Sequence, residues 1–295
     1  IPLYVGVDAQ PYVNAAEVLN TGIDAQLEWA DSPSEAFSYR IGVTAATTHN
    51  EVLALGQGNE EILGGGLVNE IPFTTRTVVG GEIGAFYGYK VEGIYQNEAE
   101  IESSPSMPGV EPGDLKFADV NGDGEITSDD QTFIGSPIPD LIYGLNLSLN
   151  YRGFDVSASL NGQRGADVFN AKKAVRFGIE NFERSYLDRW TGEGSTNSEP
   201  RVGNPSHNWF KASEWLLEDG DFLKIRNVQV GYTVPARWAE TVGLQNLRFY
   251  ANATNLVTFT KYSGYTPEIS GSSVIADAID NGVYPIARTV SVGVN

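Results

Sequence analysis

The sequence predicts an all-β fold whose strands suit an antiparallel transmembrane β-barrel, with long loops that carry short helices. Three observations point there. Apolar and polar residues alternate through segments of roughly nine to twelve residues, a length that suits a tilted crossing of a ~30 Å hydrocarbon layer. The composition, with 33 Gly, 14 Tyr, 13 Phe, 5 Trp and one Met, favours turns and aromatic-rich strands over helices. The face opposite the apolar one is polar almost throughout and carries charges such as Asp24, Glu28, Asp155 and Arg248. A water-filled lumen accepts such a face directly, whereas a soluble sandwich must turn it outward; alternation by itself fits both.

Taken in order, the first alternating stretch is Gly22–Ala30, with Ile23, Ala25, Leu27 and Trp29 on one face. Phe37–Ala45 repeats it, setting Phe37, Tyr39, Ile41 and Val43 against Ser38, Arg40, Gly42 and Thr44. Tyr143–Tyr151 and Phe154–Asn161, joined at Arg152-Gly153, read as a hairpin with one apolar and one polar face. In Leu223–Val234 the apolar phase flips between Ile225 and Val228, which predicts a bulge near Arg226-Asn227. Leu247–Thr254 and Thr289–Val294 complete the set. Trp29, Phe37, Tyr143, Tyr151, Phe154 and Tyr232 stand at apolar-face ends, as an interfacial aromatic girdle requires.

Long polar segments separate the strands. Ala166–Trp190 carries helical spacing and reads as a helix pair, Thr191–His207 lacks periodicity, and Pro235–Val242 reads as one short helical turn. Loops of this length are uncommon in compact domains but usual on the outer side of membrane barrels. No run of 18 apolar residues marks a transmembrane helix, and Ile1 opens no signal peptide. With 38 acidic against 19 basic residues the net charge is −19, which argues against a nucleic-acid partner. There is no cysteine for a disulfide or a thiolate site.

One short motif carries chemistry. Asp119, Asn121 and Asp123 put side-chain oxygens at the first, third and fifth positions of a calcium-type loop, and Gly124 takes the sixth, where the chain turns sharply. Glu125 would offer its backbone carbonyl, Thr127 would hold a water, Asp130 would close the loop, and Ile126 would anchor it. The expected cofactor is a structural Ca²⁺. The flanks Asp114–Ala118 and Gln131–Gly135 read as extended, so the loop is a clip and not a helix-opening switch.

The residues around that loop resemble the C-terminal half of the barrel in SusC/RagA-type TonB-dependent outer-membrane transporters of Bacteroidetes. The resemblance rests on blocks that recur in order. One is Thr75–Gly80 with Ile83–Tyr89 and Gly93–Gln96, and another is Gly113–Phe117 with the cation loop, Ile134–Pro137 and Tyr143-Gly144. Asp188–Thr191, Leu217–Val228 with Gly231-Tyr232, and the stretches around Asn255-Leu256, Tyr262–Glu268 and Gly282–Arg288 continue the series. The blocks run from about Asn14 to the end. The resemblance implies that residues 1–295 are the last strands of a 22-stranded barrel, less than half of it, with the plug domain and N-terminal strands absent. The terminal aromatic usual in such barrels is missing at Val294-Asn295. It further implies TonB-dependent import of oligosaccharides or peptides across the bacterial outer membrane, outer-membrane lipid around the wall, a SusD-like surface lipoprotein as lid, and TonB as partner of the plug.

No enzyme is expected. His49 and His207, the only histidines, lie in unrelated loops, acidic pairs are commonplace in so acidic a chain, and no nucleophile elbow appears. The loop aromatics Tyr95, Trp209, Trp215, Tyr262 and Tyr265 are the candidate substrate contacts, since such rings stack on sugars; packing of the loops is their more ordinary role. The alternative reading is a secreted, calcium-stabilised β-rich module for carbohydrate binding or adhesion.

Overall fold

The computed structural model describes residues 16–67, 71–175, 184–203, 208–271 and 273–295. The chain opens with β1 (Ala16–Thr21), β2 (Asp24–Ser34), β3 (Phe37–Thr47) and β4 (His49–Leu55). Six short strands follow: β5 (Glu61–Gly64), β6 (Thr75–Val78), β7 (Ala85–Tyr89), β8 (Val91–Ile94), β9 (Leu115–Phe117) and β10 (Gln131–Gly135). Next come β11 (Leu141–Tyr151), β12 (Phe154–Arg164), β13 (Asp167–Phe169), β14 (Leu217–Asp219), β15 (Phe222–Thr233), β16 (Arg248–Thr260) and β17 (Thr289–Val294). Among the described residues no helix is long and apolar enough to cross a membrane, which says nothing of strands.

Seven strands make one antiparallel sheet in the order β17-β16-β15-β12-β11-β3-β2, the wall of the expected barrel. β3, β11 and β12 have 11 residues each. At about 3.3 Å per residue and a tilt near 45° such strands rise roughly 25 Å, the height of the apolar band of a membrane barrel. The apolar face is open: Leu27 is 71 % exposed, Trp29 66 % and Val292 80 %. At the turn end of the sheet the register sets Phe37, Tyr151, Phe154, Tyr232 and Phe249 side by side across five strands. Phe154 and Tyr232 lie 4.4 Å apart between ring centroids. That row is the girdle. Trp29 is not part of it, because it pairs with Ile41 in mid-strand, and Tyr143 sits at the opposite end with its hydroxyl donating to Phe222 O.

Turns and bulges follow the sequence closely. Arg152 and Gly153 take φ of 47° and 86°, the left-handed pair of a type I′ hairpin turn, and β2 and β3 are joined just as tightly through Glu35-Ala36. The register between β12 and β15 slips at Ser159/Leu160, and between β15 and β16 at Ile225/Asn227, which confirms the bulge at Arg226. Ile225 and Val228 thereby both stay on the apolar face while Arg226 is forced out of the ladder.

All three long excursions, residues 48–140, 165–221 and 261–288, leave from the end of the sheet opposite the tight turns. They are not merely polar loops. They pack into one cap that holds the main hydrophobic core, in which Ile71, Phe86, Phe169, Trp209 and Leu216 are almost wholly buried and Ile279 enters from the third excursion. Within the cap β10, β7, β6 and β5 form a four-stranded sheet, while β8–β9 and β13–β14 are two-stranded.

The helix pair expected over Ala166–Trp190 is corrected. Val168 lies in β13, paired with Glu218 of β14, and the helices are a five-residue turn at Ala171–Val175 and a 3-10 turn at Arg184–Asp188. Residues 176–183 lie outside the described residues. The apolar spacing there comes from a strand that buries Val168 with Tyr262 and Ile269 and a helical turn that buries Ala171 in the main core, and not from one continuous helical face. The helical turn expected at Pro235–Val242 is present as Ala236–Ala239 followed by a 3-10 turn.

Candidate functional site

The wall presents two chemically distinct faces, and the polar one is the candidate site. Strand alternation brings Gln26, Thr44, Asn146, Ser159, Asn161, Asn227, Gln229 and Asn252 onto it across six strands. Its charges are mostly neutralised in place. Arg40 meets Glu28 at 3.3 Å on neighbouring strands. Arg248 grips Asp155 through Nη2 at 2.6 Å and Nε at 3.1 Å. Gly231 lies between them, and a Cβ there would stand 2.4 Å from both the guanidinium and the carboxylate, so a larger residue would push these two side-chain ends aside. Lys224, nearly buried at the loop end of β15, is held by Glu268 of the third excursion.

The cap is fastened by ion pairs between excursions. Asp114, wholly buried, accepts from Arg201 Nε at 2.8 Å and from Asn208 Nδ2 at 3.0 Å, joining the first excursion to the second. Arg201 also meets Glu111 at 2.8 Å. Glu218 accepts from Lys173 Nζ at 2.9 Å, Asn170 Nδ2 at 2.8 Å and Ser263 N at 2.8 Å, joining the second to the third. Burial raises the pKa of Glu218, but the charge and hydrogen bond of Lys173 and the donors from Ser263 and Asn170 outweigh it and hold the carboxyl below its ordinary value. None of these partners is close to the other in sequence, so sequence reading missed them; the Asp-Leu-Lys and Leu-Glu-Asp-Gly-Asp motifs were the signal that something there was built.

The cation loop folds as expected at its flanks and differs at its centre. β9 and β10 bracket it as short extended pieces, Ile126 is buried in the cap core, and Gly124 takes φ of 91°. Asp119 accepts from Gly122 N at 2.6 Å and Gly124 N at 2.9 Å, Asn121 Oδ1 from Asp123 N at 2.8 Å, and Asp123 Oδ1 from Glu125 N at 2.9 Å. Asp130 is fully buried and accepts from Thr127 N at 2.7 Å and Val120 N at 3.0 Å. Burial pushes its pKa up, yet the backbone donors of Thr127, Asn121 and Val120 prevail and hold it below the ordinary range. The loop thus caps itself with its own amides. Among the described residues no group of three or more acidic or histidine side chains is gathered to hold a metal ion. The donor types suit a hard cation; their arrangement is a self-closed turn.

The aromatic candidates divide. Trp209 is fully buried in the cap core, Trp215 is 9 % exposed with its Nε1 donating to Ser198 O, and Tyr262 is 5 % exposed with its hydroxyl on Asp280. These three are corrected from substrate contacts to packing, because a ring wrapped by protein has no face to offer a sugar. Tyr95 is buried likewise, with its hydroxyl on Pro105 O at 2.6 Å, and burial with nearby Glu100 and Glu92 pushes its pKa to about 12. Tyr265 alone keeps an open ring, 74 % exposed, beside Lys172. His49 is exposed at the start of β4, and His207 lies outside the described residues.

No family model matches the sequence. Among curated proteins, the chain is similar over its whole length to TonB-dependent receptor P26 of Formosa agariphila, at 29 % identity across 30 % of that protein. TonB-dependent receptor SusC of Bacteroides thetaiotaomicron matches at 24 % identity, again over the whole chain and 28 % of the relative. The chain therefore spans about three tenths of the length of the curated relatives it matches. Among solved structures, the RagAB peptide transporter superposes on the whole chain with a TM-score of 0.75 at 22 % identity, over 30 % of its own length, which establishes the fold. The RagAB peptide importer in its closed-closed state gives 0.73. Over its full length, in sequence and in fold, the chain thus matches a segment of the SusC/RagA-type TonB-dependent receptors, as its motif blocks imply.

Proposed function

We propose that this chain forms the C-terminal wall strands and the outer cap of an outer-membrane importer energised through TonB. The observation that carries the reading is the two-faced sheet. Its apolar face stands open with an aromatic row at one end, its other face is polar with its charges mostly paired, and its long excursions all rise from the other end. Lipid suits the first face, water and cargo the second. A SusD-like surface lipoprotein over the cap, TonB acting on a plug, and an oligosaccharide or peptide cargo are the partners this reading takes from the relatives' names and the motif blocks. The relatives are named as receptors and transporters, and the role this reading gives the chain is transport. The test is detergent dependence: the full gene product is expected to require detergent and to show heat-modifiable gel mobility. A monodisperse, detergent-free monomer would instead establish the secreted binding module.

The calcium clip belongs to the same proposal. A bound Ca²⁺ would be held by Asp119, Asn121, Asp123, the Glu125 carbonyl and Asp130, and would supply only rigidity to the loop between β9 and β10. Adding calcium is expected to slow protease cleavage between Lys116 and Ser136, and Asp119→Ala with Asp123→Ala to abolish that protection. Equal cleavage with and without a chelator would leave the self-capped turn as the whole story. In the self-capped turn Asp130 contributes through the loop's own amides. Its lowered pKa means its stabilisation is complete above the ordinary carboxylate range and is lost only as pH falls through the depressed value.

A further inference from the structure

The polar face carries seven ionisable residues on its strands, and five of them are neutralised: Glu28 with Arg40, Asp155 with Arg248, and Lys224 with Glu268. Asp24 and Arg226 are the exceptions; among the described residues neither has an ion-pair partner. They share one hollow of about 560 Å³ near the cap end of the wall, with Gln26, Thr44, Asn146 and Asn161 between them. Arg226 is there because of the bulge, which pushes it off the ladder onto this face. The side-chain oxygen of Asn161 is buried without a hydrogen-bond partner, an acceptor waiting for an N–H or O–H. Ile142, 48 % exposed, and its cross-strand neighbour Ala46 give the hollow an apolar floor between these polar groups.

Asp24 and Arg226 lie four strands apart, from β2 through β3, β11 and β12 to β15. Four spacings of about 4.8 Å give ~19 Å across the sheet, and an offset of three to four residues along the strands brings the separation to roughly 22 Å. A carboxylate and a guanidinium at that distance, with amides and hydroxyls between, match a ligand that carries a positive charge at one end and a negative charge at the other. A neutral sugar has neither. An extended peptide with free termini has both, and at about 3.3 Å per residue one of roughly six residues spans the gap.

We propose that this hollow is a subsite for short zwitterionic peptides, with Asp24 receiving the terminal ammonium, Arg226 the terminal carboxylate, and Asn161 a backbone N–H. The proposal rests on the reading of the polar face as the transport path. Titration calorimetry on the full-length gene product in detergent tests it, using an Ala/Ser hexapeptide with free termini, the same peptide amidated or acetylated, and a neutral hexasaccharide. Amidation is expected to weaken binding at least tenfold in the native protein and to have no effect in Arg226→Gln. Acetylation should do the same in the native protein and nothing in Asp24→Asn. Both side chains are on open wall, so gel mobility of the variants should be unchanged. Doubly blocked peptide binding as well as the free one would overturn the subsite, as would a hexasaccharide whose binding Arg226→Gln and Asp24→Asn both weaken. Failure of the transport reading shows separately, as solubility without detergent.

Discussion

Replacing Leu147 by arginine is expected to cost the wall about 2–4 kcal/mol, the penalty for a cation on the lipid face near the bilayer midplane. Leu147 is the seventh of the 11 residues of β11 and sits between Ile41 of β3 and Ala158 of β12, the middle of the apolar face. An arginine there has little chance to reach water, because the strand ends are about four residues away and the neighbouring side chains are all apolar. The adjoining position gives the control. Asn146 is on the polar face, and Asn146→Arg at nearly the same depth should assemble normally. The measurement is the fraction of protein with heat-modifiable mobility after outer-membrane isolation. If both variants assemble equally, the apolar face does not meet lipid, and the placement of the sheet is wrong.

The contrast between those neighbours is also why the wall could be read from the sequence. Each strand separates lipid from water, so apolar and polar residues alternate with period two, and a single phase flip between Ile225 and Val228 is enough to place a bulge. The aromatic row was mostly visible for the same reason; Phe249 completes it, and Trp29 was misplaced because being aromatic on the correct face does not fix depth. The cap obeys no such rule. Its core is gathered from single residues such as Ile71, Phe86, Trp209 and Ile279, which three excursions bring together, and no local period survives that kind of assembly. The Asp114–Arg201 pair spans 87 residues and the hydrogen bond from Val91 N to Glu214 spans 123, distances over which spacing carries no information. The cation loop was legible as a turn from its Asx and glycine positions; whether its oxygens turn inward to an ion or back to their own amides depends on geometry that composition does not encode.

Trp209→Ala is the second large effect, and it separates a structural cap from a binding surface. Trp209 has no exposed area, packs with its ring centroid 5.9 Å from Tyr186, and lies in the cluster that unites Phe86, Phe169 and Leu216. Truncating a buried tryptophan to alanine costs about 3–5 kcal/mol through lost burial and the cavity left behind. Neighbouring Asn208 holds both Leu115 N, through Oδ1 at 2.8 Å, and Asp114, through Nδ2, so the strain reaches the Asp114–Arg201 fastening. The loss should therefore appear first as protease cleavage in excursions 48–140 and 165–221, while the wall, which shares little of this core, keeps its mobility on gels. Tyr265→Ala is the matched comparison. Its ring is open to solvent beside Lys172, and its removal should leave protease resistance unchanged, so any loss of cargo binding in that variant is a direct contact. Should Trp209→Ala weaken cargo binding while the cap stays as resistant as before, the buried ring would have to be reassigned to the ligand, and with it the picture of a cap built around its own core.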